Sequence, residues 1–395
     1  MAKQKGPDAP VRIFLVAGEA SGDILAAELI EPLRERFGSR VEFAGIGGPA
    51  MAAKGITSPV SMSQLSVLGF MEGLMAWRRI SMLAKKTASI IDAFQADIVV
   101  LVDSWGFTMR VARAVRVLRP QAVLTKYVGP QVWATRPGRA AVLANMVDQL
   151  LTIHAFDAPF YENTSLPVSF VGNPVLSRKV VGDGIALRKT YKVGQHDKVL
   201  LVLFGSRHAE FSRLQAPFME AVQTLREKNP GITVFCPLSH AIAIQVRAAA
   251  VDDPRFKDVV FLDEADKEDA FAAADLALAC SGTVTTELAA VGVAMVVGYK
   301  VSPVTWALLK TFFLKTGYAS LVNVATDTMI VPEYIQGACQ PAALCAALDA
   351  LLNDDNARSQ QQKALAGAVD KMGSNGPPTA HRAAEAIHKF WQNTP

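Results

Sequence analysis

The sequence contains few of the residues that mark redox and metal chemistry. Its four cysteines lie far apart and form no CxxC pair, and its six histidines form no HExxH or similar pairing. We therefore expect free thiols in a reducing compartment, and we predict neither a metal site nor a bound cofactor. The segment FLDEAD (261–266) is similar to a helicase signature, but no GxxxxGK[ST] accompanies it, so a helicase is not indicated.

Long apolar runs and a strong charge of one sign are also absent. No apolar run approaches the roughly 18 residues that a membrane span requires, and the opening MAKQKGPDAPVRIF lacks the apolar stretch of a secretory signal. The 395 residues are 51% hydrophobic and 19% charged, with a net charge of +4. We expect two large-cored domains, soluble or bound at a membrane surface. The weak positive charge permits an anionic ligand but does not indicate nucleic acid.

Short β-branched runs alternate with amphipathic segments, which predicts parallel, doubly wound sheets. The first set of predicted strands covers residues 11–17, 41–47, 96–103, 122–129, 149–155 and 168–172. The second set covers residues 198–206, 232–239, 258–264, 275–282 and 294–300. The predicted fold class is α/β, with Rossmann-like parallel-sheet domains at residues 1–172 and 173–373. A C-terminal helix within residues 374–395 is expected to pack back on the first domain.

Ligands of open α/β sheets bind beyond the carboxyl ends of the strands, so the residues after each strand are the candidates for a site. In CSGTVTTELAAVG (280–292), Ser281, Gly282 and Thr283 allow close approach of the backbone to a ligand. Ser281 or Thr283 could cap the next helix, leaving N–H groups that point at a phosphate. Glu287, one turn later, is placed to accept hydrogen bonds from two ribose hydroxyls. A helix cap followed by an ordinary surface glutamate is the alternative.

Two further strand-end loops carry charged candidates. Ser206 and Arg207 follow the first strand of the second domain, and arginine forms forked contacts with phosphate oxygens. Glu210 could hold Arg207 or start the helix, and a solvated ion pair is the alternative for both. Asp103 ends a fully apolar strand, where a partly desolvated carboxylate can act as a base. The alternative for Asp103 is a helix cap.

The first strand ends in LVAGEASGD (15–23), which supplies Gly18, Glu19, Ser21 and Gly22. This loop matches neither the dinucleotide fingerprint, nor the P-loop, nor the nucleophile elbow. Small residues beside carboxylates suit a hydroxyl-rich ligand better than a pyrophosphate. We therefore interpret the loop as a candidate sugar or acceptor site.

The segment 63–86 is rich in Leu, Met, Phe and Trp and ends in a basic cluster. Apolar, adaptable side chains beside cations suit an acyl chain or an anionic membrane surface. A core helix pair is the alternative. The candidate contact residues are Leu68, Phe70, Met71, Leu74, Met75, Trp77, Arg78 and Arg79.

Several motifs in order make the chain resemble the lipid-A-disaccharide synthases, glycosyltransferases with GT-B architecture. These motifs are VAGEASGD, GIGGPAM, VDSWGF, YVGPQVWATRPGR, GSRHAE, SGTVTTE, VVGYK and TGYASLVN, and they span nearly the whole chain. The resemblance implies inverting transfer from UDP-2,3-diacylglucosamine to 2,3-diacylglucosamine 1-phosphate (lipid X), giving lipid A disaccharide 1-phosphate and UDP. It also implies catalysis without metal or cofactor, in the cytoplasm, with peripheral contact to anionic lipid on the cytoplasmic face of the inner membrane.

The same resemblance assigns roles to residues. Asp103 matches the family's essential aspartate, while Arg207, Glu287 and Asn323 match its donor-site residues. Glu19 and Ser21 match the first strand-end loop. The chain departs from the family's pattern where Ser104-Trp105-Gly106 follows Asp103, and at Asn173, where a histidine is usual.

Two other functions fit the same residues. A UDP-sugar 2-epimerase-like enzyme would use a similar fold on a soluble substrate, and would not need the apolar and basic segment. A nucleotide- or lipid-binding protein without catalysis would tolerate the loss of Asp103 and Arg207, yet both are present. A homodimer that exchanges the C-terminal segment is possible on this sequence.

Overall fold

Both predicted sheets are present in the computed structural model, which describes residues 9–61, 73–132, 138–178, 181–194, 196–303, 306 and 317–394. The chain divides into two compact units. The first unit comprises Met1–Pro174 with Asn375–Pro395, and the second comprises Val175–Ser374. The division falls at a short helix, Pro174–Ser177, close to the boundary that the sequence predicts at residue 173.

The first unit is built on a six-stranded parallel sheet with the order β2-β1-β3-β4-β5-β6. Its strands are β1 Val11–Ala17, β2 Val41–Ile46, β3 Ile98–Val102, β4 Val123–Tyr127, β5 Gln149–Thr152 and β6 Val168–Phe170. Its helices are α1 Ala20–Phe37, α2 Pro49–Ala53, α3 Gly73–Ala93, α4 Trp105–Leu118 and α5 Arg139–Ala144, and the boundary helix Pro174–Ser177 is α6. Every residue of β3, β4 and β5 is buried, because helices cover both faces of a parallel sheet.

The C-terminal helix α15, Thr379–Gln392, packs on α1 in this first unit. Its Ala383, Ala384 and Ile387 are at most 1% exposed and join the same core cluster as Leu29 on α1. Gln149 also donates a hydrogen bond to the carbonyl of Ala386 at 3.0 Å. The prediction that the C-terminal helix packs back on the first domain is therefore confirmed.

The second unit contains another six-stranded parallel sheet, with the order β12-β11-β10-β7-β8-β9. Its strands are β7 Val199–Leu203, β8 Thr233–Pro237, β9 Val259–Leu262, β10 Leu276–Cys280, β11 Ala294–Tyr299 and β12 Glu333–Ile335. Its helices are α7 Gly184–Thr190, α8 His208–Lys228, α9 Ala243–Asp252, α10 Lys267–Ala273, α11 Thr283–Ala290, α12 Leu321–Thr326, α13 Pro341–Asn353 and α14 Asp355–Lys371. The α/β prediction with two Rossmann-like sheets is confirmed.

Strand order determines which loops share a crevice. In the first sheet β1 lies beside β3, and in the second β7 lies beside β10, so the order reverses between these neighbours. The loops that follow such a pair run to opposite faces of the sheet and leave a crevice between them, where ligands of α/β proteins bind. The residues predicted at Gly18–Gly22 and Asp103, and at Ser206–Arg207 and Ser281–Thr283, follow these four strands.

Part of the predicted lipid contact falls outside the described residues. Leu68, Phe70 and Met71 lie outside them altogether. Leu74, Met75 and Trp77 fall in α3, but their side chains are likewise outside the description. Arg78 and Arg79 are exposed on α3. Within the described part of the chain, no helix combines the length and apolar character that crossing a membrane demands.

Candidate active site

A pocket of roughly 300 Å³ opens at the carboxyl ends of β7 and β10 in the second unit. Its walls come from the loops after β7, β8, β9 and β10 and from the start of α11. The ionisable residues that line it are Arg207, Glu210, Glu264, Lys267, Cys280 and Glu287. The predicted donor residues Ser206, Arg207, Glu210, Ser281, Gly282, Thr283 and Glu287 all line this pocket.

The loop after β7 is organised by Glu210. The side chain of Glu210 is 11% exposed, and one carboxylate oxygen accepts hydrogen bonds from the backbone N–H groups of Ser206 and Arg207, both at 3.2 Å. Gly205 has φ +92°, and a Cβ there would lie 2.3 Å from that same oxygen, so glycine is required. Glu210 therefore both starts helix α8 and shapes the loop.

Arg207 is held at the edge of the pocket. Its guanidinium donates to Glu210 at 2.7 Å, yet its side chain is 76% exposed. The hydrogen bond that Arg207 donates to Glu210, followed by the Coulomb attraction of the same carboxylate, raises the pKa of Arg207 above its usual value. The outcome is a permanent positive charge, oriented by a buried carboxylate and accessible to an anion.

The predicted helix cap after β10 is wrong. Helix α11 starts at Thr283, its N-cap is Gly282, and no side chain caps it. Ser281 lies one residue too early, and its hydroxyl instead donates to the carbonyl of Ala319 at 2.8 Å. A Cβ at Gly282 would meet no atom within 4 Å, so the backbone here faces open space and a ligand could approach it closely.

Glu287 and Lys267 form an ion pair in the pocket wall. The Nζ of Lys267 lies 3.0 Å and 3.1 Å from the two carboxylate oxygens of Glu287. The side chain of Lys267 is 32% exposed and that of Glu287 is 23% exposed. The sequence prediction placed Glu287 at this position but missed Lys267.

Asn323 lies outside the lining of the pocket, with no exposed surface. Its amide donates to the carbonyl of Val331 at 2.8 Å and to Glu333 at 2.7 Å. Its oxygen accepts from the N–H groups of Ile330 and Val331, both at 2.9 Å. These four bonds use the full capacity of the amide, so a direct contact between Asn323 and a donor stays a prediction without support from this geometry.

Glu333, on β12, joins Asn323 to the pocket. Its two oxygens accept from the N–H groups of Ala319 at 2.7 Å and Ser320 at 2.8 Å. The carbonyl of Ala319 in turn receives the hydroxyl of Ser281. The motif that contains Asn323 therefore positions one wall of the pocket through hydrogen bonds inside the second unit.

In the first unit, Asp103 follows β3 in an unusual backbone conformation. Asp103 has φ +46° and Ser104 has φ +39°, a left-handed region that non-glycine residues seldom occupy. Asp103 is half-buried. A Cβ at Gly18 would lie 2.7 Å from the hydroxyl of Ser104, so the loops after β1 and β3 touch.

Lys126, next to the carboxyl end of β4, lies close to Asp103 and is 1% exposed. Its ammonium donates to the carbonyl of Asp103, to the carbonyl of Leu101 at 3.3 Å and to the hydroxyl of Thr108 at 3.2 Å. Burial lowers the pKa of Lys126 to about 7, although Asp103 and Glu19 act in the opposite direction. The sequence prediction missed this lysine.

The two carboxylates of the motif that follows β1 have different roles: Glu19 is the N-cap of α1, and Asp23 lies in the first turn of that helix. Asp23 is 2% exposed and accepts from the N–H groups of Gly48 at 2.7 Å, Ala50 at 2.8 Å and Met51 at 3.2 Å, which fixes the second glycine-rich loop. Glu19 and Ser21 are exposed, whereas Gly18 and Gly22 are buried. Of the polar side chains in this motif, those of Glu19 and Ser21 are therefore the ones that a ligand could reach. Among the described residues, no group of three or more His, Cys, Asp or Glu side chains could hold a metal ion.

Solved structures share this fold. A Staphylococcus aureus protein in complex with UDP superimposes with a TM-score of 0.66 at 12% identity, over 97% of each chain. A UDP-GlcNAc 2-epimerase from Neisseria meningitidis, bound to UDP-GlcNAc, gives 0.63 at 12% identity over 97% of this chain and 100% of that one. A glycosyltransferase from Rickettsia africae gives 0.60 at 13% identity over 98% and 100%. These likenesses define the class of fold, the GT-B architecture of two Rossmann-like sheets.

Sequence comparison identifies the family within that class. The chain is 39% identical to a lipid-A-disaccharide synthase of Paramagnetospirillum magneticum over 381 residues, covering 96% of this chain and 97% of that protein. It is 38% identical to the corresponding protein of Rhodospirillum centenum over 379 residues, covering 96% and 94%. The family model for lipid-A-disaccharide synthetase matches residues 13–387. The chain belongs to this family and is a glycosyltransferase of lipid A biosynthesis.

Proposed function

We propose that this glycosyltransferase joins UDP-2,3-diacylglucosamine to 2,3-diacylglucosamine 1-phosphate, with inversion at the anomeric carbon. The observation that carries the proposal is the family match over residues 13–387. The products are lipid A disaccharide 1-phosphate and UDP. The second unit binds the UDP-sugar, and the first unit binds the lipid acceptor.

The proposed chemistry divides between the two units. Asp103 accepts the proton of the acceptor 6-hydroxyl, as a general base at the carboxyl end of β3. Arg207 and the open backbone at the start of α11 stabilise the negative charge that develops on departing UDP. A single in-line displacement requires a base for the acceptor hydroxyl and stabilisation of the leaving group, and it inverts the anomeric centre.

A single-turnover assay with both lipids, in the presence of EDTA, tests the reaction. Wild type should release UDP and disaccharide in equal amounts, with a β-linkage visible by NMR. Asp103→Asn keeps the size of the side chain and removes the base, so the rate should fall by roughly 100-fold or more. Asp97→Asn, at the amino end of the same strand, is the matched control and should retain the wild-type rate.

Other outcomes discriminate among the alternatives. If Asp103→Asn is fully active, the base lies elsewhere. If folded wild type forms no disaccharide but changes the configuration of the UDP-sugar alone, the chain is an epimerase. If it binds UDP and performs neither reaction, the non-catalytic interpretation is correct.

We further propose that the enzyme acts at the cytoplasmic face of the inner membrane, with α3 toward anionic lipid. Arg78, Arg79, Lys85 and Lys86 are exposed on this helix, and clustered cations bind anionic headgroups. Reversal of charge in Arg78→Glu/Arg79→Glu should abolish sedimentation with phosphatidylglycerol vesicles. The double variant Lys363→Glu/Lys371→Glu on α14 changes net charge equally and should sediment like wild type. Equilibrium sedimentation without lipid tests the proposed homodimer.

A further inference from the structure

Lys267 is a cation in the wall of the pocket to which the sequence motifs assign no role. It begins α10, and its Nζ contacts both carboxylate oxygens of Glu287, at 3.0 Å and 3.1 Å. It also lies 5.7 Å from the centre of the Phe271 ring, within range of a cation–π contact. The ammonium is thus fixed from two sides, although its side chain remains 32% exposed.

This contact leaves Glu287 able to bind a ligand. Each ionised carboxylate oxygen offers about two acceptor sites, and the ammonium occupies one direction at each oxygen. The free directions can accept hydrogen bonds from two neighbouring hydroxyl groups. A glutamate without such a partner would sample several rotamers. Fixing one of them when the ligand binds would cost conformational entropy and weaken binding.

The Lys267–Glu287 ion pair affects the net charge that a diphosphate would meet in the pocket. Three carboxylates line it, Glu210, Glu264 and Glu287, against two cations, Arg207 and Lys267. Glu210 is already paired with Arg207 at 2.7 Å. Lys267 is therefore the lining cation that offsets Glu287, whose charge would otherwise repel a diphosphate in the same pocket.

We propose that Lys267 is a positioning residue that orients Glu287 toward the ribose of the bound nucleotide, so that the pocket selects ribonucleoside diphosphates over 2′-deoxy analogues. The inference rests on the proposed function, because it takes UDP as the ligand of the second unit. Lys267 acts through Glu287 and need not touch the ribose. Removal of the Lys267 ammonium should therefore lower the affinity for UDP more than it lowers the affinity for 2′-deoxy-UDP.

Titration calorimetry with UDP and with 2′-deoxy-UDP tests this directly. Wild type should prefer UDP by roughly 10- to 100-fold, the range expected for one hydrogen bond to a charged acceptor. In Lys267→Met this ratio should fall to within about twofold of unity, mostly through weaker UDP binding. Lys267→Arg should keep most of the preference, since its guanidinium can also bind both oxygens of a carboxylate.

The control is Lys198→Met, which removes another lysine of the second unit near a carboxylate. Lys198 lies 3.9 Å from Asp275, at the amino end of the sheet and away from the pocket, and the variant should keep the wild-type ratio. If Lys267→Met lowers the affinity for UDP and for 2′-deoxy-UDP by the same factor, Lys267 acts only as a general positive charge and the inference is wrong. If wild type binds UDP but shows no preference over the deoxy analogue, the inference is also wrong while the UDP site stands. If wild type binds neither nucleotide, the proposed function itself fails.

Discussion

Lys126 gives the first unit a pH dependence that one substitution can isolate. Its side chain lies in β4 with 1% exposure, and burial lowers its pKa from 10.5 to about 7. The opposing influences are the nearby charges of Asp103 and Glu19, which raise the pKa, but burial dominates. Three acceptors surround the ammonium, so each of its three hydrogens has a partner when the group is protonated.

The sign of the effect follows from the protons bound in each state. Below pH 7 the lysine is protonated in both the folded and the unfolded chain. Between about pH 7 and 10.5 the unfolded chain retains a proton that the folded chain has lost. The free energy of unfolding therefore rises with pH in this window. One pKa unit corresponds to about 1.4 kcal/mol, and the folded lysine is already half-deprotonated at pH 7, so the free energy of unfolding rises by about 2 kcal/mol between pH 7 and pH 9.

Lys126→Met is the appropriate variant, because methionine is unbranched, fills much of the same space and does not titrate. Urea unfolding should be measured at pH 7, 8 and 9, with hydrogen exchange in peptides from β3 and β4 as the probe. This probe separates the first unit from the second, since a two-domain chain need not unfold in one step. Wild type should gain about 2 kcal/mol relative to the variant between pH 7 and 9.

Arg119→Met is the control for loss of a buried cation. Arg119 is 7% exposed, and its guanidinium donates to the carbonyl of Ala96 at 2.6 Å, near the amino end of β3. An arginine stays charged throughout this pH range, so the control should keep the wild-type slope whatever its absolute stability. If wild type and Lys126→Met change in parallel from pH 7 to 9, Lys126 keeps its proton, and its three contacts outweigh the cost of burial.

Three other substitutions have distinct expected outcomes. Asn323→Ala removes four hydrogen bonds and should lower the unfolding free energy of the second unit by about 3 kcal/mol; a normal urea midpoint with weakened UDP binding would instead identify a donor contact. Asp23→Ala removes the acceptor of three backbone N–H groups, so it should cost about 3 kcal/mol and speed hydrogen exchange at residues 48–51; unchanged exchange would contradict this role. Arg207→Ala, at an exposed side chain, should change stability by less than about 1 kcal/mol but weaken UDP binding at least tenfold in calorimetry; equal binding by the variant would exclude Arg207 from the donor site.

The strands were predictable because each is a short apolar run. All eleven predicted strands are present, with ends that move by at most a few residues. The missed strand, β12, has three residues, each only partly buried. Such a short and half-exposed segment carries neither an apolar run nor an alternating pattern. The order of strands in each sheet, which creates the two crevices, depends on long-range packing and could not be derived from periodicity.

The sequence predicted which loops contribute to the candidate site, but not which contacts each side chain makes there. Glu19 and Asp23 lie in one sequence motif, and only the fold shows that Asp23 is buried against residues 48–51 while Glu19 is exposed. The predicted caps, Ser281 and Thr283, are wrong because the N-cap of α11 is Gly282, the residue between them. Lys126 did leave a signal, because a lysine inside a central strand of a parallel sheet must be buried. Lys267 left none, since its partner Glu287 is 20 residues away and on another helix.

The loops around both crevices are held in place in the same way. A charged side chain with little exposure bonds to the backbone of a loop: Asp23 to Gly48–Met51, Lys126 to Asp103, Glu210 to Ser206 and Arg207. Glu333, although only half-buried, does the same for the loop at Ala319. Charge-assisted hydrogen bonds are stronger than neutral ones, so these side chains hold their loops firmly, and Glu210 does so while it also lines the pocket. Within the motif that follows β1, burial therefore separates the side chain that holds a loop, Asp23, from the one that stays accessible to a ligand, Glu19.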